Sequence, residues 1–134
     1  MTRFVGSGLV ATWVHPAGTI TLSTDFTSMN YDNSGKLVDA TAGADTFDVY
    51  LATTKNVKVG YQALMPSAGT ALEDALAANT FGTLTVQPEG TATGKRKYTI
   101  PAFAQGAKIT WPYADTCSVT CDFQGSGTPT IGVN

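Results

Sequence analysis

The sequence predicts a mainly β protein, an antiparallel set of strands with one short helix at about 70–79 and a long loop at about 29–45. Three observations carry this. Apolar and polar residues alternate through short runs such as Thr83-Leu84-Thr85-Val86-Gln87 and Thr116 to Phe123, the pattern of a half-buried strand. Only Ala71–Ala78 repeats at a helical spacing, with Leu72, Ala75 and Leu76 on one face. Clusters rich in turn-forming residues, Tyr31-Asp32-Asn33-Ser34-Gly35 and Pro88 to Gly94, separate the runs.

In chain order, residues 1–17 read as an arm. Leu9, Val10, Trp13 and Val14 are apolar, but glycines and Pro16 discourage a long regular element. Such an arm either covers the core or docks on a neighbour. Phe4 to Val14 behind Arg3 loosely imitates a signal peptide, yet it leads to Trp13-Val14-His15-Pro16 rather than a small-residue cleavage site, so it is expected to stay in the mature protein. Gly18 to Phe26 is expected as a strand with Ile20, Leu22 and Phe26 inward. The excursion from Thr27 to Asp45 follows, with Lys36–Thr41 as a short strand inside it; excursions of this length tend to be functional. Thr46–Leu51 alternates again, Thr53–Asn56 is read as a turn, and Val57–Ala63 returns with Val57, Val59 and Tyr61 aligned.

Thr70 and Glu73 have the spacing of a capping box for the helix, and Asn79 is a suitable stop. A β meander closes the domain, which spans 18–124. Its second strand, from Lys97 to about Ala104, contains Pro101, which points to an edge or a bulge because proline cannot donate a ladder hydrogen bond. Trp111, in the connection Gly106–Asp115, is read as a core anchor, the alternative being an interface anchor. In the last strand Cys117 and Cys121 would lie roughly 13 Å apart if extended, beyond the Cα separation of about 7 Å that a disulfide tolerates. They are expected as free thiols, which suits a reducing compartment. Residues 125–134 read as a flexible tail by composition, although Ile131 and Val133 suit addition as a strand to a neighbour.

At 134 residues the chain suits one domain with one core. Only 13% of residues are charged, about half the usual share. A surface so poor in charge fits a chain that covers much of its outside with copies of itself. The net charge of −2 argues against nucleic-acid binding through a basic face, and Lys95-Arg96-Lys97 reads as a solvated hairpin end. No run reaches the roughly 20 apolar residues of a membrane-spanning helix.

Chemistry is not signalled. There is one histidine, His15, and no nucleophile elbow, zinc-type spacing, calcium loop or phosphate loop. Asp32-Asn33-Ser34-Gly35 is a turn, and Glu73 and Asp74 favour the positive end of the helix. No catalytic, metal or cofactor-binding residue is proposed, and an enzyme is not expected.

The order of these elements resembles the bacteriophage tail-tube (major tail) proteins, related in architecture to type VI secretion tube proteins. Carrying the resemblance are Gly18–Phe26, the Tyr31–Asp45 loop, the helix Ala71–Ala78, Thr80-Phe81-Gly82-Thr83-Leu84-Thr85-Val86 and Cys117–Phe123. It implies a two-sheet β sandwich or half-barrel with a flanking helix. Subunits of that family form hexameric rings that stack into a hollow tube through which DNA passes without specific binding, a negative bore preventing the counterion release that drives binding. The resemblance further implies inter-subunit contacts by the loop residues Tyr31, Asp32, Lys36, Leu37 and Val38, and inter-ring contacts by Leu9, Val10, Trp13, Ile131 and Val133 in the arm and tail. Its partners would be its own copies and other tail proteins, its place the virion tail after synthesis in the host cytoplasm, and its cofactors none. Two alternatives stand beside it: a capsid decoration or head–tail joining protein, and a monomeric carbohydrate-binding module stacking sugars on Trp13, Tyr31, Trp111 or Tyr113.

Overall fold

The computed structural model describes residues 3, 5–24, 26–65 and 70–134, with Thr70 and Ala71 described by their backbone alone. After a single 3-10 turn at Gly6–Gly8 the elements are β1 (Val10–His15), β2 (Gly18–Thr21), β3 (Phe26–Asp39), β4 (Tyr50–Leu64), α1 (Thr70–Ala75), β5 (Thr80–Gln87), β6 (Arg96–Thr110), β7 (Ser118–Gly125) and β8 (Thr130–Val133). The strands join one antiparallel sheet in the order β2-β1-β5-β6-β7-β4-β3, with β8 paired to β6.

The sheet is curled. β1 and β7 are three strand spacings apart in the order, about 14 Å if flat, yet the rings of Trp13 and Phe123 meet at 4.8 Å. The Tyr61 hydroxyl of β4 donates to the Leu22 carbonyl just beyond β2 at 2.7 Å, joining regions at opposite sides of the order. The mainly β half-barrel therefore stands, and its two layers are halves of one continuous sheet. Inside the curl lie Trp13, Leu22, Val59, Leu76, Leu84, Ile100, Val119 and Phe123, all buried. Those on strands are inward because successive strand side chains point to opposite faces, while Leu22 and Leu76 enter from the bend after β2 and the turn after α1. Val57, Val59 and Tyr61 are buried as their alternation requires.

The helix is shorter than expected, Thr70–Ala75, and the chain turns through 76–79. Asn79, expected as the stop, lies four residues past the helix end and takes the left-handed conformation (φ 64°) in the turn that leads into β5. Ala75 and Leu76 are buried and Leu72 partly so. The Trp13 indole N–H donates to the Ala75 carbonyl at 2.9 Å, satisfying one of the acceptors that a helix C-terminus leaves free. The capping-box expectation rests on the Thr70 side chain, outside the described residues.

Several segments differ from expectation. Most of the loop at 29–45 is strand: β3 and β4 pair from Phe26↔Ala63 to Asp39↔Tyr50, leaving residues 40–49 as the connection. The turn-like 31–35 and 53–56 run straight through it, because ladder pairing outweighs local turn preference and a register shift between Gly35 and Leu37 absorbs the misfit. The strand expected over Gly18–Phe26 ends at Thr21, and the bend at 22–24 sends Leu22 into the core. The expected arm contributes β1, held between β2 and β5. The expected tail contributes β8, whose Ile131 pairs with Tyr98 of the same chain.

Pro101 sits in β6, which is central rather than at an edge. On the edge opposite β5, β6 passes from β8 (Thr99↔Thr130) to β7 (Ala102↔Gly125), and Pro101 falls at that junction. Its carbonyl accepts from the Ser126 amide at 2.8 Å on the same edge. The missing N–H therefore interrupts neither neighbouring ladder.

At Gly82 β1 lies tight against β5. A Cβ there would lie 2.0 Å from the Val14 carbonyl oxygen and 3.1 Å from the Trp13 ring. Main chain cannot swing aside, so Gly82→Ala is expected to destabilise by about 3 kcal/mol, the upper range for overpacking. Urea denaturation checks this; an unchanged midpoint would mean that β1 tolerates a wider spacing from β5.

Candidate functional site: a projecting hairpin and open sheet edges

β4 pairs with β7 only over Lys58–Leu64. From Asn56 back to Tyr50 its strand partner among the described residues is β3 alone, and β3 pairs only with β4. The distal half of this hairpin is thus a two-stranded ribbon leaving the body of the sheet. Its side chains from Asp32 to Asp39 and from Tyr50 to Lys55 are exposed on both faces. Leu37 (62% exposed), Val38, Phe47 (83%), Val49, Tyr50 and Leu51 stand in solvent. An isolated two-stranded ribbon is marginal in water, and clustered exposed apolar side chains mark interaction sites.

The tip is nevertheless built. Thr41 N–H donates to Asp39 Oδ1 at 2.9 Å, Ala42 N–H to Asp45 Oδ2 at 2.8 Å and Val49 N–H to Thr41 Oγ1 at 2.8 Å. Hydrogen bonds from the Thr41 amide and hydroxyl hold the Asp39 carboxyl below its ordinary 3.8. A depressed carboxylate contributes stability above its unfolded value and loses it as pH falls through the folded one. The Thr41 amide resonance should accordingly titrate with a midpoint below 3.8, and Asp39→Asn should abolish that titration; a midpoint at or above the ordinary value would contradict the turn.

The residues expected to contact neighbours are divided by the structure. Asp32, Lys36, Leu37 and Val38 lie exposed on the ribbon. Tyr31 is half-buried at its base, its ring 5.0 Å from that of Tyr98. Leu9 and Val10 are half-buried, while Ile131 and Val133 are exposed on β8. Trp13 is wholly buried and unavailable to a neighbour, because β1 lies within the sheet with Trp13 on its inward face. Trp111, expected in the core, is 73% exposed, since it follows the end of β6 in the connection to β7. Cys117 and Cys121 are free, and burial pushes the Cys121 thiol up to about 11, which makes it inert.

Two features went unnoticed in the sequence and one was misplaced. Phe47, Val49 and Leu51, expected on one face of a strand over Thr46–Leu51, stand exposed instead, because β4 begins only at Tyr50 and its distal half leaves the sheet; the run Val49-Tyr50-Leu51, apolar at three successive positions, was a usable signal. Phe81 and Phe103 form an exposed cross-strand ring pair at 4.9 Å. Asn134 clasps the β5–β6 connection, its Oδ1 accepting from Gln87 Nε2 at 2.7 Å and its Nδ2 donating to the carbonyls of Gly90 at 3.0 Å and Ala92 at 3.2 Å.

Solved structures share this arrangement over nearly the whole chain. A chain of the tail of an empty gene transfer agent particle, refined with C6 symmetry, superposes with a TM-score of 0.73 at 9% identity, covering 97% of this chain and 99% of that one. The SPP1 tail tube gives 0.76 at 8% identity over 98% of this chain and 80% of the other. The 6-fold symmetrised baseplate of the anti-feeding prophage gives 0.66 at 9% identity over 98% and 96%. This chain has the tail-tube fold. No family model and no curated protein matches the sequence, so the likeness is one of structure. With 97–98% of the chain covered, the tail-tube fold takes in more of it than the meander.

Proposed function

We propose that this chain is a structural subunit that assembles with its own copies into stacked hexameric rings, forming a tail tube through which DNA is delivered. The observation that carries this is the projecting ribbon, a two-edged element with six exposed large apolar side chains at and beside its tip and, among the described residues, no partner strand beyond the hairpin, on a tail-tube fold. Exposed strand edges are templates for pairing with another chain. In this reading Leu37, Val38, Phe47 and Leu51 lie against an adjacent subunit, while Leu9, Val10, Ile131 and Val133 serve contacts between rings. The C6 symmetry of the gene transfer agent tail supports six subunits per ring. A net charge of −2 supports a tube that DNA traverses without being held. The protein would reside in the virion tail after synthesis in the host cytoplasm, with other tail proteins at the tube ends and no catalytic role.

Negative-stain electron microscopy with light scattering tests the proposal. Rings or hollow tubes are expected. Protein that stays monomeric up to millimolar concentration contradicts it.

A further inference from the structure

β8 differs from the other strands in what holds it. Each of β1 to β7 places at least one side chain in the core or against it, and among the described residues β8 places none. Its four side chains are exposed, Ile131 at 54% and Val133 at 68%. It is held by main-chain pairing with Arg96–Thr99 of β6 and by the hydrogen bonds of Asn134 to the β5–β6 connection. Such a strand can leave without taking any packing from the core.

The connection before it has slack. β7 follows β6 as far as Gly125↔Ala102, and β8 resumes at Thr130↔Thr99, so five steps of chain cover three rungs of β6. Extended, five steps reach roughly 16 Å, against roughly 10 Å for three. The segment contains Gly125-Ser126-Gly127, with Gly127 at φ 106°, which glycine adopts without strain. Toward the ribbon, a cleft of about 590 Å³ separates Gly127, Thr128 and Pro129 from Thr53, Thr54 and Lys55. Among the described residues no strand closes that flank.

We propose that β8 is exchanged between copies on assembly: the β8 of one copy pairs with Arg96–Thr99 of the next, whose own β8 passes to another. The inference rests on the subunit reading above and names a contact within it. The slot itself identifies its occupant, because the same four residues already fill it within one chain. An exchanged strand brings its Asn134 with it, so ladder and clasp re-form with the same partners, and the edge of β6 is not left as an open template. Exchange of an identical element is a low-cost route to association. In the free subunit the tether keeps β8 concentrated beside its own slot; in a packed array each slot also has a neighbour's β8 within reach.

Arg96 and Val133 face each other across the β6–β8 ladder and both are exposed, so cysteines there bridge β8 to whichever β6 it pairs with. In a Cys117→Ser background, the Arg96→Cys/Val133→Cys protein is assembled under reductant, oxidised, and run on a denaturing gel without reductant. A ladder of covalent multimers is expected. Oxidised instead as the free subunit, the same protein has β8 locked in its own slot. The locked form should melt no lower than the reduced form, require at least about tenfold more protein to assemble, and recover on reduction. Oxidised tubes in which the bridge has formed but only single-chain bands appear overturn the exchange and leave the subunit reading intact. A locked subunit that assembles as readily as the reduced one does the same. A wild-type protein that never assembles overturns both.

Discussion

Trp13→Ala should cost about 3–5 kcal/mol of folding stability, as expected for removing a large aromatic from a core. Three links are lost together. The ring packs on Phe123 at 4.8 Å, tying β1 to a strand three places away. Its N–H satisfies the last turn of α1 through Ala75. It also lies where Gly82 allows β1 to approach β5 closely. Domains of this size are stable by about 5–15 kcal/mol in total, so the loss is a large share and should lower the melting temperature by about 10–20 °C. Trp13→Phe retains much of the packing but leaves the Ala75 carbonyl unpaired, and should fall in between. Thermal unfolding followed by far-ultraviolet circular dichroism measures all three proteins. A variant melting within a few degrees of wild type would show that the curl does not depend on this side chain.

Cutting back the ribbon should do the reverse, sparing the fold and removing assembly. Replacing 37–51 by Asn-Gly, with Lys36 joined through the turn to Ala52, removes six exposed apolar side chains. It leaves the β3–β4 ladder from Phe26 to Gly35 and every pairing of β4 with β7. The melting temperature should therefore stay within a few degrees. Burying about half of those six side chains against a neighbour is worth about 5 kcal/mol at roughly 1.5–3 kcal/mol each, equivalent to more than a thousandfold in association at about 1.4 kcal/mol per tenfold. Sedimentation and electron microscopy should show monomers where the parent forms tubes. Tubes of normal length from the shortened chain would place the subunit contact elsewhere.

The two tryptophans show where sequence reading reaches its limit. Both lie in stretches interrupted by glycine or proline; local pattern left the arm carrying Trp13 either over the core or on a neighbour, the resemblance implied the neighbour, and Trp111 was read as a core anchor. The structure buries Trp13 and exposes Trp111, because β1 is enclosed by β2 and β5 while residues 111–117 cross from β6 to β7 beyond the ladder. The ribbon was obscured for a related reason. Asn33-Ser34-Gly35 and Thr53-Thr54-Lys55-Asn56 have turn composition, yet each lies opposite the other segment in one hairpin, and the pairing of Asn33 with Val57 through Gly35 with Lys55 keeps both extended. Of the expected contact residues, those on the ribbon were legible as an exposed excursion, whereas Tyr31 and Trp13 were drawn inward by partners distant in sequence.

By itself the sequence determined the antiparallel β class, the place of the short helix, and the inward faces of β4, β5 and β7. Those features depend on side-chain alternation and backbone preference over a few neighbouring residues. Only the tertiary structure decided that the sheet curls on itself, that β1 and β8 belong to it, and that the β3–β4 ribbon stands clear of it. Those outcomes depend on which strands pair, across separations of 11 to 77 residues (Asp39 with Tyr50, Val10 with Gln87), and such pairings leave no periodic trace in the sequence near either partner.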